Sequence, residues 1–593
     1  MTYLQTIANL REQGVLSALD QQLARSLCAL VHETDPRVAF AIALLSRHVC
    51  AGHVCLPLGD LRSASSALGE EHAPLCPEWP DLPAWLDAVR ASRLCGDASE
   101  PHSPLVLDAS GRLYLRRHFD REQRLAQLLT TLAARELPAD HTRVARRLAH
   151  YFGDAPNDLQ RTAAELATRH ALCVISGGPG TGKTSTVVKI LAVSVEEALA
   201  SGRSAPRIAL TAPTGKAAVR LQSAVQGAKQ NLSRDPRVLA AIPEVATTIH
   251  RALASRARRG RSEPGVGPEP LPLDLLLVDE ASMVDLELMT SLLEALPPEA
   301  RVILLGDRDQ LASVEAGAVL GDICGVARDP VRAQHGLGRC IVQLTRSYRY
   351  DANSGIGELA RAVQAGDAAR ALNVLEDPRF PEVQLCEATS LFDPHGEFTQ
   401  RVVRGYRPYL QALDAQGPSH ALNLFDSFRV LCAHRQGERG VLNCNRAIAR
   451  MLYSADLVPA SEGNFLGRPL MITENDYRTR LWNGDVGLVC ADPEQGRTTC
   501  FLDTEGRLRR LGLGRLPPNE SAFALSVHKS QGSEVDEVSL VLPRDPSRIL
   551  SRELLYTGIT RARRRVVIHG SRDILRAAIE QVVSRSTGLR ELL

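Results

Sequence analysis

An eight-residue stretch, Gly177-Gly178-Pro179-Gly180-Thr181-Gly182-Lys183-Thr184, leaves this chain few folds to choose from. It follows an apolar run at 171–176 and leads through Ser185 into a long apolar segment of helical spacing. A strand that turns through glycines straight into a helix is the phosphate-binding loop, Gly-x4-Gly-Lys-Thr, and its home is a parallel sheet flanked by helices. Glycines let backbone N–H groups curl around a phosphate, and the helix N-terminus adds partial positive charge. Lys183 is expected to neutralise the β- and γ-phosphates and the Thr184 hydroxyl to ligate Mg²⁺. Gly177 through Ser185 form the expected ATP cradle.

The rest of the chain supports such a sheet. Apolar runs at 171–176, 207–211, 274–278 and 301–305 alternate with helical segments, which predicts an α/β domain over 156–338. The run at 275–278 ends in Asp279-Glu280. Asp279 is placed to hold Mg²⁺, and Glu280 to orient and activate the attacking water. Further runs at 428–433, 538–542 and 566–569 predict a second α/β domain over 339–593. Residues 1–115 are helical at first, then strand-like and Pro-rich, and carry no nucleotide motif. Leu16, Leu19, Leu23 and Leu27 mark a helical face that must be buried, within the domain or against a partner. An Arg-rich helical connector is expected at 116–155. Residues 254–272, rich in Arg, Gly and Pro, read as an excursion from the first α/β domain, either a strand-separating hairpin or a solvated loop.

Composition excludes several classes. With 593 residues the chain needs several cores. Its net charge of +2 makes any nucleic-acid surface local. No apolar run of about 18 residues is present, and Met1-Thr2-Tyr3-Leu4 does not begin a signal sequence, so an intracellular, cytoplasmic protein is expected. His48, Cys50, His53 and Cys55 fall close together, but the segment from Ala51 reads as a strand and a second ligand pair is missing, so no zinc is expected. Only five of the 70 basic residues are lysines, and three of these, Lys183, Lys216 and Lys529, fall in motifs. In a chain that uses arginine for generic charge, those lysines are expected to be functional. None of the five stands in an Asp/Glu-x-Lys pattern, so no nuclease site is expected.

The motifs form a series. Leu210-Thr-Ala-Pro-Thr214-Gly-Lys216, Thr247-Thr248-Ile-His250, Asp279-Glu280-Ala-Ser282, Gly306-Asp307-x-x-Gln310, Ser347-Tyr348-Arg349, Ser526-Val-His528-Lys529-Ser-Gln531-Gly-Ser-Glu534 and Tyr556-Thr-Gly-Ile-Thr560-Arg561 resemble, in order, the motifs of superfamily 1 helicases. The resemblance runs from about Gln160 to Arg565. It implies two RecA-like motor domains with the ATP site between them, beside a separate, mainly helical N-terminal domain. It further implies that Gln160 reads adenine, that Gln531 and Glu534 join the nucleotide set with Glu534 on the ribose, and that Gln310 senses the γ-phosphate. Arg349 and Arg561 become the candidates for compensating charge in the transition state. Thr214, Lys216, Thr248, His250, His528 and Lys529 would touch the DNA backbone. Trp482 is either a base-stacking residue or a core residue of a small barrel-like insert. Val278-Asp-Glu-Ala-Ser-Met-Val-Asp285 and the stretch from Gly306 to Asp322 are similar to the RecD family. That resemblance implies a 5′→3′ motor on single-stranded DNA, acting with RecB-like and RecC-like subunits at double-strand breaks. RecC would be the expected partner of residues 1–115. A stand-alone helicase of the same superfamily is the alternative.

Overall fold

The computed structural model describes the chain except for residues 1–2, 59–78, 98–99, 139, 154–157, 231, 233–234, 260–268, 351–353, 388–389, 477, 493–495, 504–505 and 584. The N-terminal domain is mainly helical: α1 (Tyr3–Glu12), α2 (Ala18–Val31), α3 (Pro36–Cys50) and α4 (Leu82–Ala91) pack on a small sheet. Its strands are β1 (Cys55–Pro57), β2 (Cys95–Gly96), β3 (Leu105–Leu107) and β4 (Arg112–Leu115), in the order β1-β4-β3-β2. Ser17 caps α2 in a reciprocal capping box with Asp20, which pulls Asp20 inward against the Ser46 hydroxyl at 2.6 Å. The expected leucine face is therefore only partly buried. Leu16 is buried and Leu23 and Leu27 pack against the domain core, whereas Leu19 stays 62% exposed. The segment around His53 also departs from expectation: His48 and Cys50 close α3, and only Cys55–Pro57 is strand. Among the described residues no group of three or more His, Cys, Asp or Glu is placed to hold a metal ion.

The connector is helical, as α5 (Arg116–Ala134) and α6 (His141–Phe152). The first motor domain then runs through α7 (Leu159–Arg169), β5 (Leu172–Gly177), α8 (Lys183–Ala200), β6 (Ile208–Ala212), α9 (Gly215–Lys229), β7 (Ala246–Thr248), α10 (Ile249–Arg259), β8 (Leu275–Val278), α11 (Leu286–Glu294), β9 (Arg301–Gly306), α12 (Val319–Val326) and β10 (Ile341–Leu344). The six strands lie parallel in the order β10-β5-β9-β8-β6-β7. Every residue of β5 and β8 is buried, because helices cover both faces of the sheet. The edge strand β10 lies past 338, so the sheet takes its last strand from beyond the boundary expected from the sequence. Residues 256–259 continue α10 as helix, and 260–268 of the expected excursion lie outside the described residues.

The second motor domain contains α13 (Gly355–Ala365), α14 (Ala368–Glu376), β11 (Val383–Cys386), α15 (Glu397–Ala415), α16 (Pro418–Phe425), β12 (Phe428–Cys432) and α17 (Val441–Ser454). An antiparallel insert follows, made of β13 (Pro469–Ile472), β14 (Val486–Asp492), β15 (Gly496–Leu502), β16 (Leu508–Gly512) and β17 (Asn519–Ser521). The parallel sheet resumes with β18 (Ala524–Ser526), β19 (Val535–Val541), α18 (Arg552–Ile559), β20 (Ala562–His569) and α19 (Arg572–Glu580), in the strand order β11-β20-β19-β12-β18.

The three bodies are tied together. Val54, Cys55, Val106 and Tyr114 share one apolar core with Leu172, Val174 and Leu276 of the first motor domain. The last residues leave the second motor domain and return: Arg585 donates to the Gly317 carbonyl at 2.8 Å, Val54 N–H donates to Ser586 O at 2.9 Å, and Gly588 N–H donates to Glu122 at 3.0 Å.

Candidate nucleotide pocket and nucleic-acid groove

The phosphate-binding loop forms because β5 ends where α8 must begin, and Gly180 and Gly182 take positive φ values of 76° and 78°. A Cβ at Gly180 would lie 2.2 Å from the Arg349 side chain, and one at Gly182 would lie 2.5 Å from the Gln160 amide. Neither position can carry a side chain without displacing a neighbour. Thr181 Oγ1 donates to Gly178 O at 2.9 Å, and Lys183 Nζ donates to Gly178 O at 3.1 Å and to the Gly177 carbonyl. Burial pushes the Lys183 ammonium down, while Asp307, Glu280 and Asp279 pull it back.

A cleft of about 190 Å³ opens over this loop. Pro179 through Ser185 form one wall, Asp279, Glu280 and Gln310 the floor, and Arg349, Glu534 and Arg561 the opposite wall. The cleft thus lies at the carboxyl ends of the strands, between the two sheets. Asp279 follows β8, and burial, then the charge of Glu280, raise its carboxyl above the usual range. Glu280 takes a left-handed φ of 51°, a strained conformation for a residue with a side chain. Among the described residues, Gln310 Oε1 and Arg349 Nη1 are buried in the cleft without a hydrogen-bond partner. Arg561 is held by its Nε on Thr557 O and its Nη1 on Ser533 O, both at 3.2 Å.

Of the expected nucleotide set, Pro179 through Ser185 and Glu534 line the cleft, and Gln160, Gly177, Gly178 and Gln531 do not. Gln160 holds the loop from behind, donating from Nε2 to Thr181 O at 3.0 Å. Gln531 is buried and donates to Leu311 O at 3.0 Å, so it joins the motor domains rather than lining the cleft. Glu534 does line it, gripped by Arg349 at 2.6 Å, by Arg563 at 3.5 Å and by Arg220. Arg220 was not among the expected residues. One arginine among many carries no sequence signal, and only the course of α9 reveals it. Asp307 was likewise unassigned. Its buried carboxyl, pushed up to about 6, accepts from Tyr556 of α18 at 3.0 Å and from Gln310 Nε2 at 3.2 Å.

A second, larger groove of about 1260 Å³ separates the first motor domain from the antiparallel insert and α16. Lys216, Arg251, Arg478, Arg480, Arg507 and Arg509 line it, against Asp426, Asp485 and Asp503, and Trp482 stands among them. The net positive wall with an aromatic residue is what a sequence-tolerant single strand needs. Trp482 is half-buried at the groove, while Ile472, Leu481, Phe501 and Leu511 form the local core of the insert. The other expected DNA contacts are dispersed. Thr214 caps α9 by accepting from Ala217 N at 3.2 Å, and Thr248 accepts from Arg251 N at 3.2 Å. His250 is exposed on α10, outside the residues that line the groove. His528 is half-buried and pushed down by burial, with Arg585 next in effect. Lys529 is paired with Glu520 at 2.8 Å.

Family models match three parts of the chain: "RecBCD enzyme subunit RecD, N-terminal domain" at residues 12–114, "AAA domain" at 160–316 and "UvrD-like helicase C-terminal domain" at 521–569. The chain is 40% identical to the RecBCD enzyme subunit RecD of Mycobacterium tuberculosis (strain H37Rv) over 587 residues, covering 98% of this chain and 95% of that one. It is 35% identical to the subunit of the same name from Haemophilus influenzae over 553 residues, 84% of each chain. It is 31% identical to the ATP-dependent RecD2 DNA helicase of Deinococcus radiodurans, covering 94% of this chain and 69% of that protein. Among solved structures, Bacteroides Pif1 bound to single-stranded DNA matches at a TM-score of 0.37 and 16% identity, over 74% of this chain and 94% of that one.

Proposed function

Because the chain belongs to the RecD family of RecBCD enzyme subunits, we propose that it drives a RecBCD-type helicase–nuclease along single-stranded DNA by hydrolysing ATP between its two motor domains. It is an ATP-dependent DNA helicase subunit of such a complex, serving DNA repair and recombination. The observation that carries the mechanism is the composition of the small cleft. The first domain supplies Lys183, Asp279, Glu280 and Gln310, the second supplies Glu534 and Arg561, and Arg349 stands on the segment between them.

The chemistry follows from those positions. Lys183 and the N-terminus of α8 receive the β- and γ-phosphates. Thr184 and Asp279 both line the cleft and offer hard oxygen donors, and the raised Asp279 carboxyl is a group that a cation would relieve. They fit Mg²⁺, which would neutralise developing phosphate charge there. Glu280 orients the attacking water. The orphaned Nη1 of Arg349 faces the developing charge together with Arg561. Hydrolysis changes what binds the two walls together, so the walls part and the groove shifts along the strand.

We assign the strand to the groove around Lys216 and Trp482, with 5′→3′ movement. The test is unwinding of tailed duplexes. A 5′ overhang is expected to support unwinding and a 3′ overhang is not; the opposite preference overturns the polarity. The N-terminal domain is the proposed docking site for a RecC-like subunit. Leu4, Leu19 and Leu30 are 56%, 62% and 76% exposed on it, an apolar surface suited to a permanent partner. L19E/L30E is expected to lose co-purification with the RecB-like and RecC-like subunits while keeping DNA-stimulated ATPase. Full assembly by this variant would move the docking surface elsewhere.

A further inference from the structure

One helix reaches both sites. The first turn of α9 puts Lys216 and Val219 in the large groove, and the next turn puts Arg220, Leu221 and Ala224 in the nucleotide cleft. Lys216 and Arg220 are four residues apart, so about 6 Å of rigid helix joins the two sites.

The ends of this connection are charged and adjustable. The Lys216 side chain makes no hydrogen bond among the described residues; burial pushes its ammonium down, Asp426 and Asp485 across the groove attract its charge, and Arg429 and Arg220 oppose it. Arg220 is 42% exposed in the cleft and stands between two carboxylates. Its Nη1 is 3.7 Å from Glu280 Oε1, and its Nη2 is bonded to Glu534 Oε1. The first of these is an ion pair without a hydrogen bond, in which a small movement changes the balance. Glu280, moreover, sits on strained backbone at φ 51°.

The second motor domain and its insert press on the same helix. A Cβ on Gly215 would lie 3.1 Å from Trp482, and one on Gly532 would lie 3.4 Å from Ala217. Any displacement of Trp482 by a bound strand, or any closure of the second domain, is therefore delivered to the first turn of α9.

Resting on the motor reading above, we propose that Arg220 is a positioning residue that restrains the Glu280 carboxylate while the DNA groove is unengaged, and that a strand held by Lys216 and Trp482 shifts α9 so that Arg220 keeps its bond to Glu534 and withdraws from Glu280. This makes α9 the link through which single-stranded DNA stimulates ATP hydrolysis. Arg220 acts through Glu280 and need not touch nucleotide. The Glu534 side of the arrangement is already fixed, since Arg349 and Arg563 hold that carboxylate in place.

The experiment measures kcat and KM for ATP in the full-length chain, with and without saturating oligo-dT, for wild type, R220Q, R220K and K216A. R220Q is expected to raise the DNA-independent kcat about fivefold, equivalent to about 1 kcal/mol, the size of a partly exposed ion pair. Its DNA-saturated kcat should stay near wild type, so the stimulation ratio falls about fivefold while KM changes little. R220K, which keeps the charge without the fork, should recover part of the ratio. K216A should need more oligo-dT to reach the wild-type plateau. A parallel fall of basal and stimulated rates in R220Q, or an unchanged ratio, overturns the proposal. A wild-type chain whose ATPase ignores oligo-dT overturns the motor reading itself and would be seen before any variant is made.

Discussion

Tyr556→Phe removes one oxygen from the contact between the motor domains and should be read in the pH profile. The Tyr556 hydroxyl, on α18 of the second domain, donates to Asp307 Oδ2 at 3.0 Å, and Asp307 follows β9 of the first. Burial holds the Asp307 carboxyl at about 6, and the tyrosine hydrogen bond is one of the contacts that keep it from rising further. Asp307 is also the largest attraction opposing the burial of Lys183. A hydrogen bond to a charged acceptor contributes about 1.5–3 kcal/mol, which corresponds to roughly one to two pH units. The direction is fixed: losing a donor to the ionised form raises the carboxyl, so the acid limb of kcat should move up by about one unit or more. Near pH 7 the wild-type group is mostly ionised; in Y556F about half or less would be. Turnover should then fall by at least about twofold at pH 7 and recover as the pH is raised beyond 8. ATPase in saturating single-stranded DNA, from pH 5.5 to 9, gives the measurement. An unmoved acid limb, or a loss that is the same at every pH, refutes a role for the Asp307 charge.

Lys183→Ala should abolish nearly all ATP hydrolysis without lowering the melting temperature, whereas Glu280→Gln should keep nucleotide affinity and slow turnover by about a hundredfold or more; equal loss of affinity in E280Q would remove Glu280 from the role of base. Trp482→Ala should weaken oligo-dT binding about tenfold, in line with about 1–3 kcal/mol per stacked base, and binding of the wild type should weaken steeply with salt and vary little with sequence. Asp322→Asn tests the return of the C-terminal residues onto the first motor domain. Burial, and then the charge of Glu122, push Asp322 up to about 7 from an unfolded value near 3.8, so folding disfavours its ionised form. The wild type therefore loses stability as pH rises from about 4 to 7, and no more above that. D322N should melt at the same temperature as wild type at pH 4 and become more stable by about 2 kcal/mol by pH 8. A constant difference across that range would contradict the assignment.

The catalytic core was legible because its residues obey chain-local rules. A strand that runs into a glycine turn and a helix, and an apolar strand that ends in Asp279-Glu280, declare both element and chemistry within a few residues. Long-range relations left no such mark. β10 joins the first sheet by pairing with β5 from about 170 residues away, and neither its length nor its composition distinguishes it from the start of the next domain. Gln531 sits in the same motif as Glu534, which lines the cleft, yet its own amide is used across the domain boundary on Leu311. Lysine scarcity singled out Lys183 and Lys216, which line the cleft and the groove, and Lys529, which is paired with Glu520. A rare residue in a motif marks a position where charge shape matters; it does not say whether the partner is a ligand or another side chain.

The boundary at 115 shows why a domain drawn from motifs need not be a unit that can be removed. Residues 1–115 contain no motor motif, and a sequence argument alone would cut there and expect an intact motor. But Val54, Cys55, Val106 and Tyr114 are buried in the core that holds Leu172 and Val174 of β5, the strand that delivers the phosphate-binding loop. Gly317, in the segment leading from β9 to α12, donates its N–H to Gly52 O at 3.0 Å, and Ser586 is held by both His53 and Val54. Removing the domain would expose one side of that core and release the C-terminal residues at once. Loss of several large buried side chains costs about 2–5 kcal/mol for each one truncated, enough to exhaust the stability of an ordinary domain. A truncated chain is therefore expected to lose ATPase together with assembly, by unfolding near the phosphate-binding loop. Point substitutions on the exposed face of α2 leave this shared core untouched, so they can separate docking from catalysis where the deletion cannot.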